Sequence, residues 1–342
     1  MKIEGREISE DADPLFIAEI GINHEGSLDH AKWLATMAVT AGARVIKHQT
    51  HVIADEMTDA AKMVKPGNTD ASIWEVMERC ALGEAEERKL KAHVESQKAT
   101  FISTPFSRAA ADRLERMNVS AYKIGSGECN NLPLVGHVAA FGKPMIVSTG
   151  MNGMESVSET VEVLQAAGVE FALLHCVNSY PQPYADTRLD CITEMREAFP
   201  SVPIGLSDHT PTIWTALAAV GLGACIIEKH VTDRTSRKGP DVPFSLTPAQ
   251  IFELVTAIRA VKQARGGGKG MVASEEVTAK FAFSTVVTTA SVKKHECLTD
   301  ENLWVKRPGI GDYPAADYQD LLGAYATQDL PAGHHLMMGD IK

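Results

Sequence analysis

Short apolar runs, each closed by turn residues, recur through the first 232 positions of the chain. They fall at 15–21, 44–50, 100–105, 121–125, 144–149, 171–177, 203–207 and 224–232, and their length predicts strands. Stretches with helical spacing separate them: 28–41 before Gly42, 107–117, 157–167 before Gly168, 189–198 and 213–222. A last helix opens at Thr247-Pro248-Ala249-Gln250, where a capping-box spacing meets proline at the first helical position. Eight strand–helix units over about 250 residues predict an α/β fold of the TIM (β/α)8 barrel type. A doubly wound sheet would alternate in the same way, and the count of eight favours the barrel.

Two departures from the repeat carry information. Positions 50 to 100 are too many for a plain strand–helix–strand unit of roughly 30 residues. The excess, around Lys65-Pro66-Gly67-Asn68, follows a strand end, so it lies on the face where a barrel carries lids or else is a neutral insertion. After the last helix, Gly266-Gly267-Gly268-Lys269-Gly270 reads as a flexible linker. The expected division is a barrel domain at 1–265, a linker at 266–280 and a small, mostly β domain at 281–342.

Composition narrows the class without naming it. Over 342 residues, 44% are hydrophobic and 23% charged, as in ordinary globular proteins. A net charge of −11 argues against nucleic-acid or anionic-membrane partners. The charged stretch 1–13 lacks the apolar core of a signal peptide, and the most apolar run, 216–227, is shorter than the roughly 20 residues of a membrane span. Cys80, Cys129, Cys176, Cys191, Cys225 and Cys297 have no metal-type spacing and read as thiols of a reducing, cytoplasmic setting.

A parallel barrel carries its chemistry at the carboxyl ends of its strands, and those ends are polar here. Period-two alternation groups Lys47 with Gln49, Ser207 with His209, and Glu228 with His230. Lys47 and Lys123, with hydroxyls from Thr104, Ser126, Ser148 and Ser207, form a candidate cradle for a phosphorylated acid, although a structural ion-pair network would use the same residues. His209 and His230 end adjacent strands. They are either hydrogen-bonded core residues or an open site for Mn²⁺ or a similar divalent ion, completed by water and substrate oxygen.

Ten ordered runs resemble a known family. FIAEIGINHEGS (16–27), KHQTH (47–51), STPFS (103–107), YKIGSGECNNLPL (122–134), STGM (148–151), LHCVNSYPQPY (174–184), GLSDHT (205–210), EKH (228–230) and GPD (239–241) resemble bacterial N-acetylneuraminate (sialic acid) synthases. ENLWVKRPGIGDY (301–313) resembles their C-terminal antifreeze-like (SAF) domain. The resemblance implies metal-dependent condensation of phosphoenolpyruvate with an N-acylated hexosamine, N-acetylmannosamine first. It assigns phosphoenolpyruvate to Lys47, Thr104, Lys123, Ser126, Ser148, Asn178 and Ser207, and the metal (Mn²⁺, with Mg²⁺ or Co²⁺ as alternatives) to His209 and His230. It assigns the aminosugar to Gln49, Asn68, Glu128, Tyr180 and Asp241, with Arg307 reaching in from the partner of a domain-swapped homodimer. Asn68, Asp241 and Arg307 rest on the resemblance alone. Glu19 or a metal-bound water is the candidate to activate the attacking water. Synthases of legionaminic or pseudaminic acid share most of these runs. A Schiff-base aldolase using Lys47 or Lys123, and a non-catalytic glycan-binding protein, are the more distant alternatives.

Overall fold

The architecture comes from a computed structural model that describes residues 1–67 and 69–342. Among the described residues, eight parallel strands close into a barrel. They are β1 (Leu15–Glu19), β2 (Val45–Thr50), β3 (Thr100–Pro105), β4 (Tyr122–Ile124), β5 (Met145–Ser148), β6 (Phe171–Cys176), β7 (Ile204–Asp208) and β8 (Ile226–His230). β8 pairs with β7 on one side and with β1 on the other, from Ile226 opposite Leu15 to His230 opposite Glu19. That closure excludes the open doubly wound sheet.

Eight helices alternate with the strands: α1 (Leu28–Thr40), α2 (Glu84–Ser96), α3 (Arg108–Arg116), α4 (Leu132–Ala139), α5 (Met154–Ala167), α6 (Asp190–Ala198), α7 (Trp214–Gly221) and α8 (Pro248–Ala264). Local chemistry sets their ends. Ser27 caps α1 by accepting the His30 N–H at 3.2 Å, and Gly168 closes α5 at φ +68°, a conformation costly for other residues. Two of the helices, α2 and α4, have no counterpart in the periodicity. The sequence of α4, LPLVGHVA, is apolar almost throughout, and α2 is so charged that only Glu87, Leu90 and Val94 are buried.

The strands present two faces to two cores. Outward residues such as Ile46, Phe101 and Leu173 pack with Leu34, Leu114 and Leu254 of the helices. The inward residues nearest the amino ends, among them Ile17, Val45, Ile102, Ile146 and Ile226, fill the barrel floor. Ile3 and Ile8, from and beside the small hairpin Lys2–Ile3/Arg6–Glu7, stopper that floor from below. An apolar floor sealed in this way leaves the opposite mouth to the polar residues.

The long second unit carries a helix Ile73–Cys80, started by a Ser72/Glu75 capping box. Val76 and Cys80 pack with Ile22 from the loop after β1, which fixes the insertion at the polar mouth of the barrel. Contacts divide the chain at Gly266 into Met1–Gly266 and Gly267–Lys342. The second unit has its own core, including Val286, Val292, Leu298, Leu303 and Leu336, around the antiparallel pair β9 (Thr285–Thr288) and β10 (Leu303–Lys306). Part of the segment read as a linker is ordered as the helix Glu276–Ala282. No helix among the described residues is long and apolar enough to cross a membrane.

Candidate active site

The polar residues at the carboxyl ends of the strands meet in one buried cluster. β2 turns Lys47 inward, where its Nζ lies 2.5 Å from Glu19 Oε2 and 3.6 Å from Glu228 Oε1. Glu228 is also 3.7 Å from Lys123 Nζ, so one carboxylate bridges the two lysines. Ser207 Oγ donates to that same carboxylate oxygen at 3.1 Å. Lys123 donates to Ser148 Oγ at 2.6 Å and to the Ile124 carbonyl at 3.1 Å, while Lys47 donates to Thr104 Oγ1 at 3.4 Å. The strand register sets this up, because Glu19 stands opposite both Lys47 and His230.

Charges this deep need compensation, since stripping an ion of water costs several kcal/mol. Burial by itself lowers the pKa of both lysines. At Lys47 the charges of Glu19 and Glu228 outweigh burial and hold the ammonium above its ordinary value. At Lys123 burial prevails over Glu228, and the value falls below the ordinary one. Burial would raise Glu228, but Lys123, then Lys47 and His230, hold it below the usual carboxylate value. The cradle is thus an ion-paired network with preset charges. Glu228 was visible in the sequence as an inward residue two before His230, without an assigned role.

Hydroxyl and amide groups complete the mouth. Ser126 Oγ accepts the Gly150 N–H at 3.0 Å, and Asn178 Nδ2 donates to the Tyr180 hydroxyl at 2.8 Å. Gly150 permits this approach, because a Cβ there would sit 1.9 Å from Asn178 Oδ1 and 2.8 Å from Ser126 Oγ. His209 and His230 face one another with ring centroids 5.5 Å apart. His209 uses Nδ1 on the Val177 carbonyl at 3.0 Å, which leaves Nε2 available. Nδ1 of His230 is buried 3.2 Å from Asp241 Oδ2 yet has no aligned hydrogen-bond partner. Two imidazoles and a nearby carboxylate, one nitrogen orphaned, fit a divalent ion. No group of three or more His, Cys, Asp or Glu disposed around a metal position occurs among the described residues, so water and substrate would have to complete the shell.

Two cavities include residues of this cluster, and a third lies beside them. The inner one, about 130 Å³, is lined by Lys47, Gln49, Thr104, Lys123, Ser126, Ser148, Asn178, Tyr180, Ser207, His209, Glu228 and His230, together with Cys176. An outer chamber of about 610 Å³ shares Gln49, Asn178, Tyr180 and His230 and adds Asp241, with Ile22, Ile73, Val76 and Met77 as an apolar wall. A side cavity of about 490 Å³ holds Glu128 with Asp55, Glu56 and Arg108. Phe106 lines all three. Glu19 is wholly buried beneath Lys47 and lines none of them; its other oxygen accepts from Gln49 Nε2 at 3.1 Å. Asn68 lies outside the described residues. Arg307 is exposed in the second unit, just beyond β10.

Residues 34–270 match the NeuB family and residues 284–342 the SAF domain. The chain is 35% identical over 323 residues to the N,N'-diacetyllegionaminic acid synthase of Campylobacter jejuni, covering 92% of this chain and 96% of that one. It is 32% identical to the N-acetylneuraminate-9-phosphate synthase of Homo sapiens, over 91% of this chain and 88% of that one. The solved structure of N-acetylneuraminic acid synthetase from Leptospira borgpetersenii, in complex with citrate, superposes with a TM-score of 0.75 at 28% identity, covering 81% of this chain and 94% of that one. A closed barrel with this mouth, followed by a SAF domain, belongs to the NeuB family, that of the sialic, legionaminic and pseudaminic acid synthases.

Proposed function

We propose that the chain condenses phosphoenolpyruvate with open-chain N-acetylmannosamine and water, giving N-acetylneuraminic acid and phosphate by C–O cleavage. The observation that carries this reading is the pair of buried lysines opening, through shared walls, into a chamber large enough for a sugar. Phosphoenolpyruvate brings a phosphate and a carboxylate. Lys47, Lys123 and the hydroxyls of Thr104, Ser126, Ser148 and Ser207 supply charge-assisted donors for them. Because Glu19 and Glu228 hold the ammonium groups before ligand arrives, little reorganisation remains to be done at binding.

With both reactants held, C3 of phosphoenolpyruvate attacks the aldehyde carbon and positive character develops at C2. Water adds at C2, one of its protons passing to the alkoxide left from the aldehyde, and the tetrahedral carbon expels phosphate through its C–O bond as the second proton leaves with the phosphate. Proximity of the two reactants supplies much of the rate. Glu19 acts through Lys47, whose charge and direction it sets. A divalent ion such as Mn²⁺ at His209 and His230 would supply a Lewis acid toward the aldehyde oxygen, and Mg²⁺ or Co²⁺ suit the same donors.

The side cavity favours a sugar without phosphate. Asp55, Glu56 and Glu128 outnumber Arg108 there, and the α3 amide at Ala109 is already taken by Asp55 Oδ2 at 2.7 Å. The apolar wall of Ile73, Val76 and Met77 suits an N-acyl group and would also suit the second acyl group of a legionaminic- or pseudaminic-type precursor. One observation, the lowered Lys123, favours a Schiff-base aldolase instead; borohydride with pyruvate would then label the protein. Arg307 completes the sugar site from a partner subunit in this reading. The test is a panel of N-acylated hexosamines with phosphoenolpyruvate, followed by phosphate release. N-acetylmannosamine should turn over fastest. A diacetamido sugar leading the panel would move the assignment to the legionaminic type, and no phosphate with any sugar would refute it.

A further inference from the structure

Behind the wall of β2 lies a second polar network that the reaction does not touch. Lys47 and Gln49 turn into the site, so His48 and Thr50 turn outward, toward α2 and α3. Glu87, on the first turn of α2, is wholly buried there. Its Oε1 lies 3.7 Å from His48 Nδ1, and its Oε2 accepts from Arg113 Nη1 of α3 at 3.2 Å. Thr50 Oγ1 shares a hydrogen bond of 2.8 Å with Ser103 Oγ, which is 3.5 Å from His48 Nδ1. The His48 ring stacks against His24 at 5.4 Å and Phe101 at 6.1 Å. Much of the remaining space between strands and helices is filled by leucine, valine and alanine, and where it is polar, as at Lys229 and Asp208, the charges are paired at 2.9 Å. A buried carboxylate here costs several kcal/mol that an apolar residue would not, and Glu87 Oε1 and His48 Nε2 are both left without a hydrogen-bond partner. Such groups call for an explanation.

We propose that Glu87 is a positioning residue: anchored by Arg113, it fixes the outward side of β2 so that Lys47 and Gln49, on either side of His48, hold their directions in the site. Consecutive strand residues cannot turn independently, so the polar contact of Glu87 Oε1 with His48 Nδ1, at 3.7 Å and short of a hydrogen bond, constrains one face of the strand and through it the other. The inference rests on the reading above, in which Lys47 meets phosphoenolpyruvate and Gln49 meets the sugar. The groups facing Glu87 are His48 and Thr50 from β2, Arg113 from α3 and Glu84 on its own helix. Burial, opposed by Arg113 and Thr50, pushes the Glu87 carboxyl up to about 7. Burial first, then His24, His51, Lys47 and Arg113, keeps His48 neutral, well below its usual value. The anchor is therefore charged above neutrality and is discharged as pH falls through about 7.

The test uses the full chain with Mn²⁺, phosphoenolpyruvate and N-acetylmannosamine, and compares Glu87→Gln with the parent from pH 6 to 8.5. Glu87→Gln should stay folded by circular dichroism and raise KM for both substrates about tenfold, with a smaller change in kcat. It should also lose the rise in KM that the parent shows below neutrality. Ionisation of phosphoenolpyruvate itself persists in both proteins and cancels from the comparison. A folded Glu87→Gln with parental KM and an unchanged pH profile overturns the proposal. Should that variant fail to fold, Arg113→Lys, which keeps the charge but loses the guanidinium geometry, must shift KM in the same direction; parental KM there overturns it equally. If the parent binds phosphoenolpyruvate but turns over no sugar, the functional reading falls while the dissociation constant for phosphoenolpyruvate still tests Glu87. If it binds none, both fall.

Discussion

Replacing Glu228 with glutamine keeps the shape of the side chain and removes the one carboxylate shared by Lys47 and Lys123. The separations of 3.6 and 3.7 Å give roughly 4–5 kcal/mol of attraction for each pair at an effective dielectric near 20. Part of that is offset, because a neutral amide costs less to bury than a carboxylate. Measured losses on breaking a buried pair, about 3–5 kcal/mol, indicate the net effect on stability. Lys47 retains Glu19 at 2.5 Å, whereas Lys123 keeps only the neutral acceptors Ser148 and Ile124. The loss should therefore fall chiefly on Lys123. Urea unfolding of parent and Glu228→Gln, each with and without saturating phosphoenolpyruvate, reads this directly. The variant should lose about 3–5 kcal/mol and recover more stability from the ligand than the parent does, because the anion restores the missing countercharge. Equal stability in both proteins, or an equal response to ligand, would show that Glu228 does not carry the charge balance of the site.

Chelation should abolish turnover with little change in the melting transition, since two imidazoles cross-link the fold weakly, and Mn²⁺ should restore it. His209→Ala and His230→Ala should each behave like the chelated protein, and full activity in a metal-free preparation would remove the metal from the reaction. N-acetylmannosamine 6-phosphate should be used with kcat/KM at least about tenfold below the free sugar, from like-charge repulsion in the side cavity. Glu56→Gln combined with Glu128→Gln should narrow that gap, and a parent that prefers the phosphate would contradict the role given to these carboxylates. Arg307→Ala subunits mixed with Lys47→Ala subunits should regain activity, because delivery across a dimer leaves one hybrid barrel with both defects and one with neither. A mixture that exchanges subunits yet stays inactive would confine Arg307 to its own chain.

Much of the fold was legible because a barrel repeats one simple unit. Each of the eight strands left a short apolar run, and every run maps to an observed strand after trimming of its ends. What escaped were elements whose pattern is erased by their surroundings. α4 is apolar on nearly all sides and so shows no helical stripe. α2 hides its inner face because one of the three residues it buries is the charged Glu87. The insertion was visible as surplus length, but its packing of Val76 and Cys80 on Ile22 depends on a loop about fifty residues away, which no local pattern encodes.

The site shows the same boundary at finer scale. Alternation separates inward from outward residues, and it placed Lys47 with Gln49 and Glu228 with His230 on the inner face. It cannot say what the residues between them do. Lys229 is as buried as Lys123, yet it points away from the mouth, donating to Asp208 Oδ2 at 2.9 Å and to the Thr210 carbonyl at 2.8 Å. His48 is likewise more buried than His209. Burial of a charged residue therefore does not mark the site in this barrel; the face does. The polar runs KHQT and SDH, with EKH, read as single motifs in the chain, but each serves two networks, one facing the barrel mouth and one facing the helices. The outer network explains why these runs stay polar on both faces. A strand whose inner face must hold lysine and histidine to a fraction of an ångström gains from directional bonds on its outer face, where apolar packing alone would permit small slips.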